Sequence, residues 1–129
     1  NLNKHSHGHM YRASLEGIAF SFMYGMEILK NDNALINVIR AGNDNLFRSK
    51  IFANTVATLI GHEIEIYNTT GAFGAARASG ILSTDLSSFR EKITKNDHVM
   101  TFLPLKNRSE YQHAYLRWKK DLEGILKNK

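Results

Sequence analysis

From residue 9 to residue 30, apolar side chains recur at three- and four-residue spacing: Leu15, Ile18, Ala19, Phe22, Met26 and Leu29. This spacing predicts an amphipathic helix with a broad buried stripe. The polar cluster Asn31-Asp32-Asn33 favours a turn and ends it. Gly17 and Gly25 weaken the local propensity, which points to close packing against a neighbouring element. Leu35 to Arg40 is a short β-rich run containing Ile36, Val38 and Ile39, and Gly42-Asn43-Asp44-Asn45 is a tight loop ending in a helix cap. A second helix is expected from about Leu46 to Ile60, burying Phe47, Ile51, Val56, Leu59 and Ile60, with Gly61 as its stop. Glu63 to Tyr67 alternates polar and apolar residues and predicts a second strand.

Thr69-Thr70-Gly71 leads into the small-residue segment Ala72 to Gly80, where small side chains let a helix lie close to a sheet or another helix. Asp85 to Ile93 predicts a short helix, and Val99 to Leu103 an extended segment closed by the only proline, Pro104. The last helix, from about Arg108 to Leu126, carries Tyr111, Tyr115, Trp118, Leu122 and Ile125 on one face. Strands separated by helices pair in parallel through right-handed crossovers, so the expected class is α/β with a short parallel sheet flanked by helices. Two strands make a poor sheet, and the chain therefore looks like the second half of a larger sheet domain. Residues 1–8 form a polar lead-in and residues 105–129 the terminal helical segment.

The 129 residues suffice for one domain with a modest core, and 43% hydrophobic with 22% charged residues is ordinary for a soluble globular protein. Apolar runs such as Ile18-Ala19-Phe20 are short, so no membrane span is expected. The polar, histidine-rich start has no signal-peptide pattern, and the lack of an initiator methionine at Asn1 suggests a processed or excised product. The absence of cysteine removes disulfide, thiolate and cysteine–zinc chemistry and fits the cytoplasm. The net charge of +5 invites a nucleic-acid partner. However, the basic residues are spread out, and the tail group Arg117, Lys119, Lys120, Lys127 and Lys129 suits a solvated helix face better.

The candidate chemistry gathers at Val38 to Phe47. A loop that leaves the carboxyl end of a parallel strand and opens a helix points backbone N–H groups at a phosphate or nucleotide. Taken alone, Asn43, Asp44 and Asn45 read better as turn and cap residues. Thr69-Thr70-Gly71 sits at the matching end of the next strand and would line the same rim. Thr70 suits a helix cap, and Gly71 and Gly74 suit helix packing more than ligand approach. His5, His7 and His9 could converge on a metal in an extended segment. No acidic or thiolate ligand stands close by, so a polar loop with His9 near the helix start is favoured. Glu16 and Glu27 are too far apart to work as a carboxylate pair, and no Walker loop, GxSxG or HExxH occurs.

Three segments together resemble a family. His9-Met10-Tyr11-Arg12-Ala13-Ser14-Leu15-Glu16-Gly17-Ile18-Ala19-Phe20 is similar to the second signature of the FGGY carbohydrate kinases. Ile39-Arg40-Ala41-Gly42-Asn43-Asp44-Asn45 occupies the place of their strand and glycine-rich loop, and Gly71-Ala72-Phe73-Gly74-Ala75-Ala76 resembles their late G-A-x-G-A-A helix. The segments come in family order, from His9 to Leu82, and the similarity is greatest to the xylulokinase branch. The resemblance implies the C-terminal, nucleotide-binding part of a ribonuclease H-like, actin-like ATPase domain. It implies that Gly42, Asn43 and Asn45 contact ATP, with Asn45 nearest the adenine and Gly71 at a neighbouring rim position. It also implies transfer of the γ-phosphate of Mg2+–ATP to a ketose or polyol such as D-xylulose, with the catalytic aspartate and the sugar residues on an upstream domain. Arg40-Ala41 departs from the family glycines. A piece of this kind is expected to be inactive alone. The rival expectation is a non-catalytic, self-associating α/β module with exposed sheet edges.

Overall fold

The computed structural model describes residues 4–31, 38–79, 87, 91 and 97–127. Along the chain come α1 (His7–Asn31), β1 (Ile39–Gly42), a 3-10 turn (Asn45–Arg48), α2 (Lys50–Ile60), β2 (Ile64–Tyr67), α3 (Gly71–Ser79), β3 (His98–Phe102) and α4 (Arg108–Lys127). The helix expected over 85–93 falls outside the described residues except at Ser87 and Glu91, and so do Leu35, Ile36 and the turn at Asp32-Asn33.

The sheet has the order β1-β2-β3. As expected, β1 and β2 are parallel, with Ile39 opposite Ile64 and Gly42 opposite Tyr67. The extended segment near Val99 adds a correction, because it joins β2 as an antiparallel third strand, with Phe102 opposite Ile64. The sheet is therefore mixed, and the rule that helix-separated strands run parallel fails at its second connection.

The core lies between one face of this sheet and α2. Ile64 and Ile66 point the same way along the pleat, and both are fully buried together with Ala53, Val56 and Ala57. Thr55 and Thr58 are also fully buried, and each hydroxyl donates back to a carbonyl four residues earlier: Thr55 Oγ1 to Ile51 O at 2.8 Å and Thr58 Oγ1 to Asn54 O at 2.6 Å. Thr58 Oγ1 also accepts from the Leu105 N–H at 3.0 Å, so these buried polar groups are satisfied.

Two boundaries of α2 are set by short-range chemistry. Its N-cap is Ser49, whose side chain accepts from the Phe52 N–H at 3.4 Å, rather than the end of the Gly42–Asn45 loop expected from sequence. The intervening 3-10 turn is what moves the helix start. At the other end Gly61 adopts φ 79°, ψ 19° and its N–H returns to Ala57 O. A Cβ there would strike the Arg108 guanidinium, which packs over the glycine and reaches Leu59 O at 3.5 Å.

α1 buries Ala19, Phe20 and Met23, while Ile18, Phe22 and Leu29 of the expected stripe stay substantially exposed. Phe20 packs against Tyr115 and Trp118 of α4, with centroids 5.9 and 6.0 Å apart. On α4, Tyr115 is buried and Trp118 partly so, as expected, but Ile125 is exposed. Burial pushes the Tyr115 phenol well above its usual range, with the neighbouring Glu27 carboxylate adding to the effect. Close packing does not explain Gly17, Gly25, Gly71 or Gly74, because a Cβ at any of them would meet nothing within 4 Å among the described residues.

Candidate functional site

β1 and β2 end side by side, so the segments that follow them meet. The Asn43 N–H donates to Tyr67 O at 2.7 Å, and the Thr69 N–H donates to the same carbonyl at 2.8 Å. Gly42 lies so near the next segment that a Cβ would run into the Thr69 carbonyl, with Asp44 Oδ1 at 3.1 Å from the same point. Only glycine permits this approach. The expectation that Gly42–Asn45 and Thr69–Gly71 line one rim therefore agrees with the geometry.

The expected contact residues are arranged as follows. Gly42 is half-buried at the strand end, Asn43 and Asn45 are exposed, and Gly71 is the exposed first residue of α3. Asn45 has φ 47°, a left-handed conformation that Asn tolerates better than most residues. Thr70 caps α3, its hydroxyl accepting from the Phe73 N–H at 3.2 Å. α3 buries no residue. Asp97 ties it to the sheet: its carboxylate pairs with Arg77 and its carbonyl accepts from the Asn68 N–H at 2.7 Å. The Arg77 guanidinium also lies 4.8 Å from the Phe73 ring.

Behind the rim, the sheet face away from α2 carries a polar network that sequence reasoning missed. Arg40 Nε donates to Glu65 Oε2 at 2.9 Å, and the Tyr67 hydroxyl donates to the same oxygen at 2.6 Å. The Tyr67 hydroxyl, and then Arg40, hold the Glu65 carboxyl below the usual carboxylate range, while burial pushes the Tyr67 phenol up. His98 meets the Tyr67 ring edge-on at 5.6 Å and shares a 2.9 Å hydrogen bond with Thr101. The departure at Arg40 thus has a partner on the next strand instead of an unpaired charge facing the rim. Its signal lay in the register, which sets Arg40 opposite Glu65.

The histidine cluster takes a different form from a ligand set. His9 Nδ1 lies 3.1 Å from both the Ser6 N–H and the Ser6 hydroxyl, folding back onto the helix start much as the glutamate of a capping box does. His5 meets His9 edge-on at 5.6 Å. Among the described residues no group of three His, Cys, Asp or Glu is placed to hold a metal ion. One cleft of about 240 Å³ lies away from the rim, where α1 meets α4 around Arg12, Glu16 and Tyr111. Another, of about 270 Å³, lies around Met23, Glu27 and Tyr115.

The architecture is a small α/β unit with a three-stranded mixed sheet, whose two parallel strands open onto a shared rim. No family model matches the chain. No curated protein matches it. Among solved structures, the chain is similar to a xylulose kinase from Rhodospirillum rubrum, with a TM-score of 0.72 and 19% identity over 97% of this chain and 25% of that one. It is also similar to a xyloylose kinase from Brucella ovis, with a TM-score of 0.79 and 24% identity over 98% of this chain and 26% of that one. The fold is that of the C-terminal domain of these kinase structures. The chain spans about a quarter of their length.

Proposed function

We propose that the chain is the nucleotide-binding part of an ATP-dependent carbohydrate kinase of the FGGY type, with D-xylulose as the sugar. One observation carries this reading: the carboxyl ends of two parallel strands converge at a glycine that no other residue could replace, at the place where α/β sheets receive nucleotides. Gly42 and Asn43 would bring backbone close to the nucleotide, Asn45 would face the adenine, and Gly71 would stand at a neighbouring position on the rim. The likeness to two sugar-kinase structures supports the same reading.

ATP would supply the transferable phosphoryl group, and Mg2+ would travel with its phosphates. The rim offers backbone N–H groups and oxygen acceptors, a donor set that fits a nucleotide better than a metal held by protein alone. The chain's own contribution is binding and orientation, which supply most of the rate in phosphoryl transfer. The proton-accepting carboxylate and the sugar contacts would belong to the rest of the parent protein.

Titrating ATP or ADP into the 15N-labelled chain tests this directly. Amide resonances from Gly42 to Phe47 and from Asn68 to Gly71 should shift together, and no sugar phosphate should form with xylulose present. Shifts confined to the α1–α4 clefts, or none, would remove the nucleotide reading.

A second reading has its own observation. Met10, Tyr11, Ile28, Leu29, Leu116, Ile125 and Leu126 of α1 and α4 are all more than half exposed. A non-catalytic, self-associating module would use such surfaces. Sedimentation that depends on concentration, with no response to ATP, would favour it.

A further inference from the structure

The rim contains a carboxylate that the nucleotide reading has so far left without a task. Asp44 is extended, at φ −137° and ψ 173°, and stands at the N-cap position of the 3-10 turn without making a capping hydrogen bond. It has no ion pair among the described residues, and it is only half-buried. Its Oδ1 lies over the bare Cα of Gly42, beside the Thr69 carbonyl. The missing Cβ at Gly42 thus lets two oxygen acceptors from successive loops gather at one point.

Two oxygen acceptors near one point repel a phosphate and attract a group with two neighbouring donors. A nucleotide offers such a group in the cis-diol of its ribose, since vicinal hydroxyls can donate one to each acceptor. Carboxylates serve this role elsewhere in open α/β sheets. The exocyclic amine of adenine is a poorer match, because both its hydrogens lie in the plane of the base, and Asn45 already stands on the proposed adenine side.

We infer that Asp44 recognises the ribose of the bound nucleotide, with the Thr69 carbonyl as second acceptor. Asp44 is therefore the residue that selects ribonucleotide over deoxyribonucleotide. This inference rests on the reading of the rim as a nucleotide site.

Calorimetric titration of the 129-residue chain with ATP and with 2′-deoxy-ATP, in Mg2+ and again in EDTA, tests it. The wild-type chain should prefer ATP by about tenfold, the scale of a hydrogen bond to a charged group. Asp44→Ala should weaken ATP by about tenfold and 2′-deoxy-ATP by less than about twofold. Asp44→Asn, which keeps an acceptor oxygen, should retain part of the preference. Thermal midpoints of both variants should match the wild type, because the side chain holds no structural hydrogen bond among the described residues. Equal losses for the two nucleotides would overturn the inference, as would an ATP deficit that disappears in EDTA, since the carboxylate would then serve a cation. If the wild type binds both nucleotides equally, this inference falls and the nucleotide site stands. If it binds neither, both fall.

Discussion

α2 and α3 begin alike and end up in opposite environments. Each follows a strand of the parallel pair, and each is opened by a hydroxyl that accepts from the third N–H onward, Ser49 for α2 and Thr70 for α3. Yet α2 buries eight of its eleven residues and α3 none of its nine. The difference teaches that a cap sets where a helix starts, whereas the area it can bury sets how firmly it stays. α2 presents Phe52, Val56, Leu59 and Ile60 to the sheet and α1. α3 presents four alanines and two glycines, which cover little apolar surface, and it relies on the Arg77–Asp97 pair and the Phe73 ring. The core side of the molecule is thus fixed by burial, and the rim side is held by a few polar contacts that a ligand could readjust.

The comparison can be broken hardest at the core. Ile66→Ala removes a fully buried side chain between β2 and α2 and should cost about 2–5 kcal/mol. Urea unfolding would show this as a lower midpoint, and a loss near zero would mean that β2 does not hold the core. At the rim the opposite outcome is expected. Gly74→Ala places a methyl where nothing stands within 4 Å among the described residues, so it should strengthen α3 by about 0.5–1 kcal/mol. Hydrogen exchange should report a few-fold greater protection of α3 amides, with the amides of α2 unchanged. A matching rise in α2 would show that the two helices open together.

The smallest effect concerns pH. Because Glu65 titrates below its ordinary range in the folded chain, its network stabilises the fold above the unfolded carboxyl pKa, and that contribution is lost as pH falls through the lowered folded value. Wild type should therefore be modestly more stable than Glu65→Gln at neutral pH, and the gap should close below about pH 4, under the ordinary glutamate range. Thermal midpoints across an acid series would check this; a gap that does not vary with pH would assign the difference to packing.

Much of the skeleton was legible because it rests on local signals. Alternation at Glu63–Tyr67 marked β2, Gly61 marked the end of α2, and Thr70 marked the start of α3. The buried face of α1 was misjudged because Ile18, Ala19, Phe20, Phe22 and Met23 are apolar almost all round the helix, so spacing alone could not choose the stripe that meets α4. The antiparallel entry of β3 was invisible because the direction of a strand after a long connection leaves no mark in periodicity. At the rim, the residues of both loops could be named from sequence, including the glycine at position 42. What could not be seen was that Asp44 and the Thr69 carbonyl share its open side. That juxtaposition depends on the pairing register of two strands 25 residues apart, seen in Arg40 and Glu65.

The meeting of Gly61 and Arg108 has a consequence for how the chain is assembled. A guanidinium at the carboxyl end of α2 faces the negative pole of that helix and a carbonyl left over by its last turn. Because that cation is the first residue of α4, a helix that comes after all of the described sheet closes the most deeply buried described helix. A nascent chain halted before residue 108 would carry the three strands of the described sheet and yet leave α2 unsealed.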